Sequence, residues 1–435
     1  MNKITNINQN SFSLFENNNF TVIRLMTLIA VSVLIISLLR GFIPILLNGL
    51  IEAKYIYFTL SGLTLLFALY SMKERSIIPI NLHSILWLNL FFGVIWLIVD
   101  SMVNGDVFLF FSVCIFPFLM ISYCRVPSGI FNKVIFILIP ILTIVVFLDY
   151  LLINTKLFNN GWEINERLRM LMTSSWADQT HTYYIYRAVG LTGDEHDTSS
   201  ILVMLSAFLL CIKNNVLTIK YRLLLLIMVY VALMLTASAS NVFCGLVTAL
   251  IIGLYKFRVG SLFPLIKALF IIVIITFILF IFFPSFMDLM LIPFERMSNL
   301  DALATMFSTQ LELNLANELL SIFLGHTPNL QLSEFGLITE FGILRVLYAS
   351  GIFFFITIMA VWLMPLLLFI YTDKYTKEQM LPYLAATYAG LFTLIHYGSI
   401  LRSTNIVLFY SFFGMSIRMY VMSRIFIKSN EIPQA

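Results

Sequence analysis

Charged residues are scarce in this chain. Asp, Glu, Lys and Arg make up 11% of its 435 residues, whereas hydrophobic residues make up 60%. A soluble globular domain carries about 25% charged residues, because its surface faces water on all sides. The composition therefore excludes an ordinary soluble protein and predicts an integral membrane protein.

The chain also lacks the short motifs that mark several large classes of enzyme. It contains no Walker loop, no GxSxG, no HExxH and no CxxC. Its four cysteines, Cys114, Cys124, Cys211 and Cys244, show no paired spacing, so we expect no disulfide, no metal site and no cofactor. Few charged residues fall inside the apolar runs, which argues against an ion-coupled transporter.

Long apolar runs are what the sequence has instead. Lipid offers no hydrogen bonds, so a backbone that crosses roughly 30 Å of hydrocarbon forms helices or a closed barrel, and continuous apolar runs favour helices. We predict an all-α polytopic protein, a single integral membrane domain over residues 1–435 with about twelve transmembrane helices. The predicted spans are residues 22–39, 56–71, 82–99, 107–123, 134–153, 197–212, 222–237, 241–256, 262–283, 341–370, 381–397 and 404–422.

The positions of Lys and Arg predict the orientation of the chain. Basic residues accumulate in alternate loops, and such loops are typically cytoplasmic. They are Lys73, Arg75, Arg125, Lys133, Lys213, Lys220, Arg222, Lys256, Arg258, Lys267, Lys374 and Lys377. Both termini fall on the same side. The net charge of +4 is therefore a topology signal and gives no reason to expect a nucleic acid partner.

Two loops on the opposite side are long, at residues 154–196 and 284–340. Each contains a segment with helical amphipathic spacing, which is typical of a helix lying on a bilayer. These segments read WEINERLRMLM in the first loop and FERMSNLDALATMF in the second. Long loops in a compact protein usually carry function, so we expect the functional site on this side of the membrane.

Ionisable residues collect in and beside these loops. The end of the first loop reads IYRAVGLTGDEHDTSSI, which contains Arg187, Gly190, Gly193, Glu195 and His196. We expect residues 197–199, an Asp-Thr-Ser run, to cap the helix that follows.

The second loop contributes Arg296, which stands alone among acidic residues and so requires an anionic partner. His326 lies later in the same loop. Asp149 and Arg345 lie close to the outer interface, where a charged group can reach water.

The order of these features resembles the bacterial O-antigen polymerase (Wzy) family, within the wider group that includes the O-antigen ligases. Arg187 with Gly190, Gly193 and a polar cluster resembles the first of its weak motifs. Arg296 followed by SIFLGHTP resembles the second, and EFGILRVLYASGIFFF, with Glu340 and Gly351, resembles the third. The resemblance spans about residues 185 to 360 and implies a GT-C-like fold in which the two long loops are periplasmic.

The resemblance implies a metal-independent glycosyltransferase of the bacterial inner membrane. Its substrate would be an oligosaccharide on undecaprenyl diphosphate, held among membrane lipids, with a chain-length regulator as protein partner. The planar guanidinium of arginine grips phosphate oxygens in bidentate fashion, which makes Arg187, Arg296, Arg345 and Arg402 the candidates for binding the diphosphate. Glu195, His196 and His326 are the candidates for the catalytic base, and Gly190 and Gly193 would let the backbone approach the substrate.

Three alternatives stay open at this point. An O-antigen ligase, which transfers glycan to the lipid A core, would use the same arginines, although Thr327 after His326 departs from the ligase motif. A lipid-linked oligosaccharide flippase would have a similar number of spans but short outer loops. A capsule or exopolysaccharide polymerase would share the chemistry. The family's Thr-x-Ser-Arg turn reads TASA here, with Ala239 in place of the arginine.

Overall fold

The computed structural model describes residues 20–39, 55, 59, 62, 63, 66, 80–101, 110–153, 188, 190–192, 195–236, 238–258, 342–394, 401 and 403–431. Within these residues all regular secondary structure is helical, and there is no strand. The all-α class predicted from the apolar runs is therefore confirmed for the part of the chain that is described.

The first half of the described chain contains four α-helices: α1 (Phe20–Leu38), α2 (Ile80–Ser101), α3 (Leu119–Tyr123) and α4 (Ser128–Ile153). A π-helix (Phe111–Ile115) and a 3₁₀ turn (Phe116–Phe118) precede α3. Pro117 supplies a fixed φ at the start of the 3₁₀ turn, where its missing N–H is harmless.

The second half contains a 3₁₀ turn (Gly190–Thr192) and six longer helices. These are α5 (Glu195–Cys211), α6 (Ile219–Leu235), α7 (Ala239–Arg258), α8 (Gly342–Ile370), α9 (Lys374–Thr393) and α10 (Ser403–Glu431). Helices lie on the predicted spans wherever those spans are described. Span 262–283 lies outside the described residues, and only isolated residues of span 56–71 are described.

Within the described residues, three helical segments are long and apolar enough to cross a membrane: Ser128–Tyr150, Ser350–Ile370 and Asn405–Arg424. Large apolar side chains are exposed along one face of α4, at Ile130, Ile137, Ile141, Ile144 and Leu148. Their spacing of three, four and seven residues places them in one stripe. An exposed apolar stripe of this length is unfavourable in water and favourable against lipid, which supports a membrane protein.

Helix α5 forms the centre of the described bundle. It packs against α6, α7, α9 and α10, and every one of its residues except His196 is buried. A helix enclosed on all sides has no solvent-facing stripe, which explains why its sequence shows little amphipathic pattern.

The two ends of α5 carry opposite charges. Glu195 and Asp197 lie in its first turn, whereas Arg222 of α6 and Lys256 of α7 donate hydrogen bonds to the carbonyls of Ile212 and Leu210 at its other end. This arrangement complements the helix dipole and satisfies carbonyls that have no partner within the helix. At 1.5 Å per residue the two ends lie about 24 Å apart, close to the thickness of the hydrocarbon layer.

Helices α3 and α10 cross at Gly414. A Cβ atom built on Gly414 would lie 2.4 Å from the Met120 carbonyl oxygen, so only glycine permits this crossing. The thiol of Cys124 donates to the Gly414 carbonyl over 3.2 Å, and Arg418 donates to the Cys124 carbonyl over 2.7 Å. These bonds fix α10 beside the core.

Helix α8 is interrupted twice. Gly351 adopts φ 69° and ψ 163°, a non-helical conformation that breaks the helix after Ser350. Pro365 lacks an N–H and kinks the helix a second time. At this kink the Tyr388 hydroxyl of α9 donates to the Trp362 carbonyl over 2.8 Å and accepts from the Leu366 N–H over 3.2 Å. The hydroxyl thus bridges a carbonyl and an N–H that would bond directly in an unbroken helix.

Candidate functional site

A cluster of polar side chains, which we call the N-terminal cluster, surrounds the first turns of α5. Its members come from α4, the 3₁₀ turn, α5, α7 and α10 and are buried apart from His196, which is partly exposed. They are Asp149, Thr192, Glu195, His196, Asp197, Thr198, Ser199, Ser200, Ser238, Asn241 and Asn405. So many polar groups within a membrane bundle are costly unless they bond to one another, and residues in such positions are often functional.

Helix α5 begins earlier than the sequence indicates. Residues 197–199 were expected to cap the helix that follows them. The structure instead starts α5 at Glu195, so these residues lie inside the helix. The Ser199 and Ser200 hydroxyls donate backwards, to the carbonyls of His196 and Asp197, each over 3.1 Å. These hydroxyls bond to carbonyls of their own helix, as serine hydroxyls inside helices commonly do. The first long loop therefore ends before Glu195 rather than at residue 196.

The segment before α5 is held at three points. The Ala188 N–H donates to the Leu235 carbonyl over 3.1 Å, and the Gly190 N–H donates to Asp149 Oδ2 over 3.2 Å. The Thr192 and Thr198 hydroxyls hydrogen-bond over 2.7 Å. Asp149 was expected to reach water at the interface, yet it is buried at 6% exposure because it accepts this backbone bond.

Gly190 is required at its position for two reasons. Its φ of +59° is a left-handed conformation that residues with a Cβ rarely adopt. A Cβ here would also lie 2.9 Å from Cγ2 of Val146 in α4. The turn can therefore pack tightly against α4 only with glycine at this position.

His196 is held by neighbours from two helices. Its Nδ1 lies 3.2 Å from Oγ of Ser238, which immediately precedes α7, and its Nε2 lies 3.5 Å from Glu195 Oε1. Its backbone carbonyl accepts from Asn241 Nδ2 over 3.2 Å. The imidazole side chain keeps 12% of its surface exposed, whereas that of Glu195 keeps 3%. The cluster thus presents a partly accessible imidazole beside a buried carboxyl group.

Two asparagines join α5 to its neighbours. Asn241 of α7 donates to Ser199 Oγ over 2.5 Å, and Asn405 of α10 donates to Ser200 Oγ over 2.6 Å. Asn405 Nδ2 also lies 3.5 Å from Asp197 Oδ1. Sequence reasoning missed both residues, together with Ser238. The available signal was an amide at the start of an apolar run, since amides in membrane helices commonly bond across helices.

Of the residues selected from the sequence, Glu195 and His196 belong to this cluster, and the Gly190 N–H bonds to its member Asp149. Arg345 lies in α8. Arg187, Gly193, Arg296, His326 and Arg402 lie outside the described residues. Asn405, a member of the cluster, follows Arg402 by three residues, and Ala188, whose N–H bonds to the Leu235 carbonyl, follows Arg187 by one.

The cluster combines carboxyl groups, an imidazole, hydroxyls and amides, which are the groups that bind sugars and transfer protons. Among the residues described, no group of three or more His, Cys, Asp and Glu side chains is arranged to hold a metal ion. A scan of protein-family models gives no match to the chain, and a search of curated proteins gives none either.

Proposed function

We propose that the protein is a membrane glycosyltransferase that polymerises undecaprenyl-diphosphate-linked O-antigen repeat units. The observation that carries the proposal is the Glu195–His196 pair, a titratable pair almost enclosed within a membrane bundle at the start of its central helix. A buried carboxyl group beside an imidazole is typical of general acid–base catalysis.

The reaction makes two demands on the protein. The bond between a sugar's anomeric carbon and the diphosphate breaks, and its electron pair leaves with the diphosphate. A hydroxyl of the next lipid-linked unit attacks the same carbon and gives up its proton. A base is needed for that proton, and cations are needed for the departing diphosphate.

The chain offers a group for each demand. Glu195, His196 and His326 are the candidates for the base. Arg187 directly precedes Ala188, whose N–H is bonded to α6, and Arg402 precedes Asn405 of the cluster by three residues. We propose that they bind the diphosphate together with Arg296 and Arg345.

The proposal also assigns the membrane in which the protein lies and the orientation of the chain. The polar start of α5 would face the periplasm, and its other end, with Arg222 and Lys256, would face the cytoplasm. Both termini would be cytoplasmic, and the protein would lie in the bacterial inner membrane. A chain-length regulator would be its protein partner.

The test is polymerisation by the purified protein. Incubation with lipid-linked repeat units should give a ladder of glycan lengths. Arg187→Ala and Arg296→Ala should each slow the reaction by at least about 100-fold, because each removes a cation from the leaving diphosphate. Arg424→Ala is the matched control, since Arg424 lies over the Tyr420 ring in α10, about 28 Å along the helix from Asn405.

Three results would contradict the proposal. Full ladders from both arginine variants would remove these residues from the site. Accumulation of unligated, lipid-linked polymer in a cell lacking the gene would indicate a ligase. Retention of repeat units on the cytoplasmic face would indicate a flippase. A polymerase-deficient cell should instead carry a single repeat unit on its lipopolysaccharide.

A further inference from the structure

Ser112, the second residue of the π-helix, makes a hydrogen bond to a distant part of the chain. The hydroxyls of Ser206 in α5 and of Ser411 and Ser416 in α10 each donate to a carbonyl three residues earlier in the same helix. Such bonds are usual for serines inside helices. The Ser112 hydroxyl donates over 2.6 Å to the carbonyl of Leu401, which precedes α10 by two residues. This hydroxyl therefore joins the π-helix to the start of α10.

Asn89 of α2 fixes the π-helix that carries Ser112. Its side chain is fully buried in the middle of α2. The Asn89 Nδ2 donates to the Val113 carbonyl of the π-helix over 2.6 Å, and Oδ1 lies 3.0 Å from the Thr357 hydroxyl of α8. A carbonyl only accepts, so the nitrogen of the amide faces Val113 and its oxygen faces Thr357. One buried amide thus joins α2, α8 and the π-helix, and π-helices are frequent at functional sites.

The stretch of chain from Leu401 to Asn405 is held at both ends. The Leu401 carbonyl accepts from Ser112, and Asn405 in the first turn of α10 donates to Ser200 Oγ of α5 over 2.6 Å. Arg402 lies between these two points in the sequence. Because a peptide bond is planar, the carbonyl oxygen of one residue and the Cα of the next lie in one plane. Holding the Leu401 oxygen therefore limits the rotation of the peptide that leads into Arg402.

We propose that Ser112 is a positioning residue for Arg402, the arginine that would bind the departing diphosphate. The inference rests on the polymerase function proposed above. In that reaction the acceptor hydroxyl oxygen bonds to the anomeric carbon and gives its proton to the base. The bond from that carbon to the diphosphate breaks, and its electron pair leaves with the diphosphate. The guanidinium must be in place before this charge develops, and Ser112 holds the backbone that carries it.

The kinetic test compares two buried serines in the polymerisation assay. Ser112→Ala should lower kcat about 10-fold with KM nearly unchanged, because the arginine meets charge that develops only in the transition state. Ser411→Ala is the matched control, since Ser411 is similarly buried and its hydroxyl donates within α10 to the Leu408 carbonyl over 2.7 Å. It should leave kcat unchanged.

A double variant shows whether Ser112 acts through Arg402. Arg402→Ala alone should slow the reaction by at least about 100-fold, because it removes a cation from the leaving diphosphate. In that background Ser112→Ala should cause no further loss, since no guanidinium is left to position. A purely structural role of Ser112 would lower the rate by the same factor in both backgrounds, and that additive result would overturn the inference.

A spectroscopic test does not depend on activity. Protein labelled with ¹³C-carbonyl leucine and ¹⁵N-arginine gives correlated signals only from Leu–Arg pairs, of which the chain has four. The signal missing from Arg402→Ala reports on the Leu401 carbonyl. It should shift in Ser112→Ala, shift less in Ser112→Cys, whose thiol is a weaker donor, and stay in place in Ser411→Ala. An unshifted signal in Ser112→Ala would remove the hydrogen bond and the inference with it.

The outcomes separate this inference from the proposed function. Wild-type kcat in Ser112→Ala or in Arg402→Ala would overturn the inference and leave the polymerase function in place. If Ser112→Ala does not elute as a single species in detergent, Ser112→Cys provides the comparison, with a smaller loss of kcat expected. A wild-type protein that forms no ladder would overturn the polymerase function, while the Leu401 signal would still report on the hydrogen bond.

Discussion

At the scale of single residues, Asp373 shows how one side chain begins a helix. It is exposed and precedes α9, where its carboxylate accepts from the Thr376 N–H over 3.0 Å and from the Thr376 hydroxyl over 2.6 Å. These hydrogen bonds hold the pKa of Asp373 below its usual value. The stabilisation is therefore fully present above the unfolded pKa of about 4 and is lost as pH falls through the lower folded value.

This capping bond predicts a pH-dependent stability. In detergent, the wild-type melting temperature should fall as the pH is lowered below about 4. Asp373→Ala should lower the free energy of unfolding by about 1 kcal/mol at neutral pH, because it removes the cap. Asp373→Asn is the control, since asparagine caps a helix but does not titrate in this range. An identical acid transition in the Asn variant would show that other groups cause it.

Single residues differ in how visible they are in the sequence. Glu195 and His196 could be selected because ionisable residues are rare in so apolar a chain. Ser238, Asn241 and Asn405 could not be selected in this way, because a small polar residue at the start of an apolar run can bond either within its own helix or across to another. Only the packing of α5 against α7 and α10 determines which bond forms.

At the scale of elements, the hydroxyl of Tyr388 in α9 hydrogen-bonds to two backbone groups of α8. Its hydroxyl bridges the Trp362 carbonyl and the Leu366 N–H at the Pro365 kink of α8. Tyr388→Phe would leave both backbone groups without this partner inside an apolar bundle. We expect it to lower the free energy of unfolding by about 1 to 3 kcal/mol, measured as a lower melting temperature in detergent.

Tyr371→Phe provides the control for Tyr388→Phe. Tyr371 is 80% exposed just beyond α8, so the loss of its hydroxyl should leave stability unchanged. If the two variants melted at the same temperature, the hydroxyl bridge would contribute nothing to the kinked helix.

The existence of the helices could be predicted, but not their ends. The apolar run of α5 begins at Ile201, and the polar residues before it resemble a cap. The helix nevertheless extends back to Glu195, and the hydroxyls of Ser199 and Ser200 inside it donate to preceding carbonyls. Polar residues whose side chains make hydrogen bonds within their own helix give no hydropathy signal of where that helix starts.

At the scale of the whole molecule, hydropathy predicts helices without predicting their neighbours. Helix α5 contains more polar residues than α4, yet α5 is enclosed while α4 exposes an apolar stripe. In water, apolar content would predict burial. In a bilayer the lipid is as apolar as a leucine side chain, so the polar helix occupies the interior, where its groups find partners.

The orientation of the whole chain gives a final prediction. All four native cysteines are buried, so a membrane-impermeant maleimide should label the wild-type protein little. Asn160→Cys, in the predicted first outer loop, should be labelled in intact spheroplasts, because that loop would face the medium. Asn215→Cys, in the exposed turn between α5 and α6, should be labelled only after permeabilisation. The reverse pattern would invert the chain and place the start of α5, with Glu195 and His196, on the cytoplasmic side, away from a periplasmic substrate.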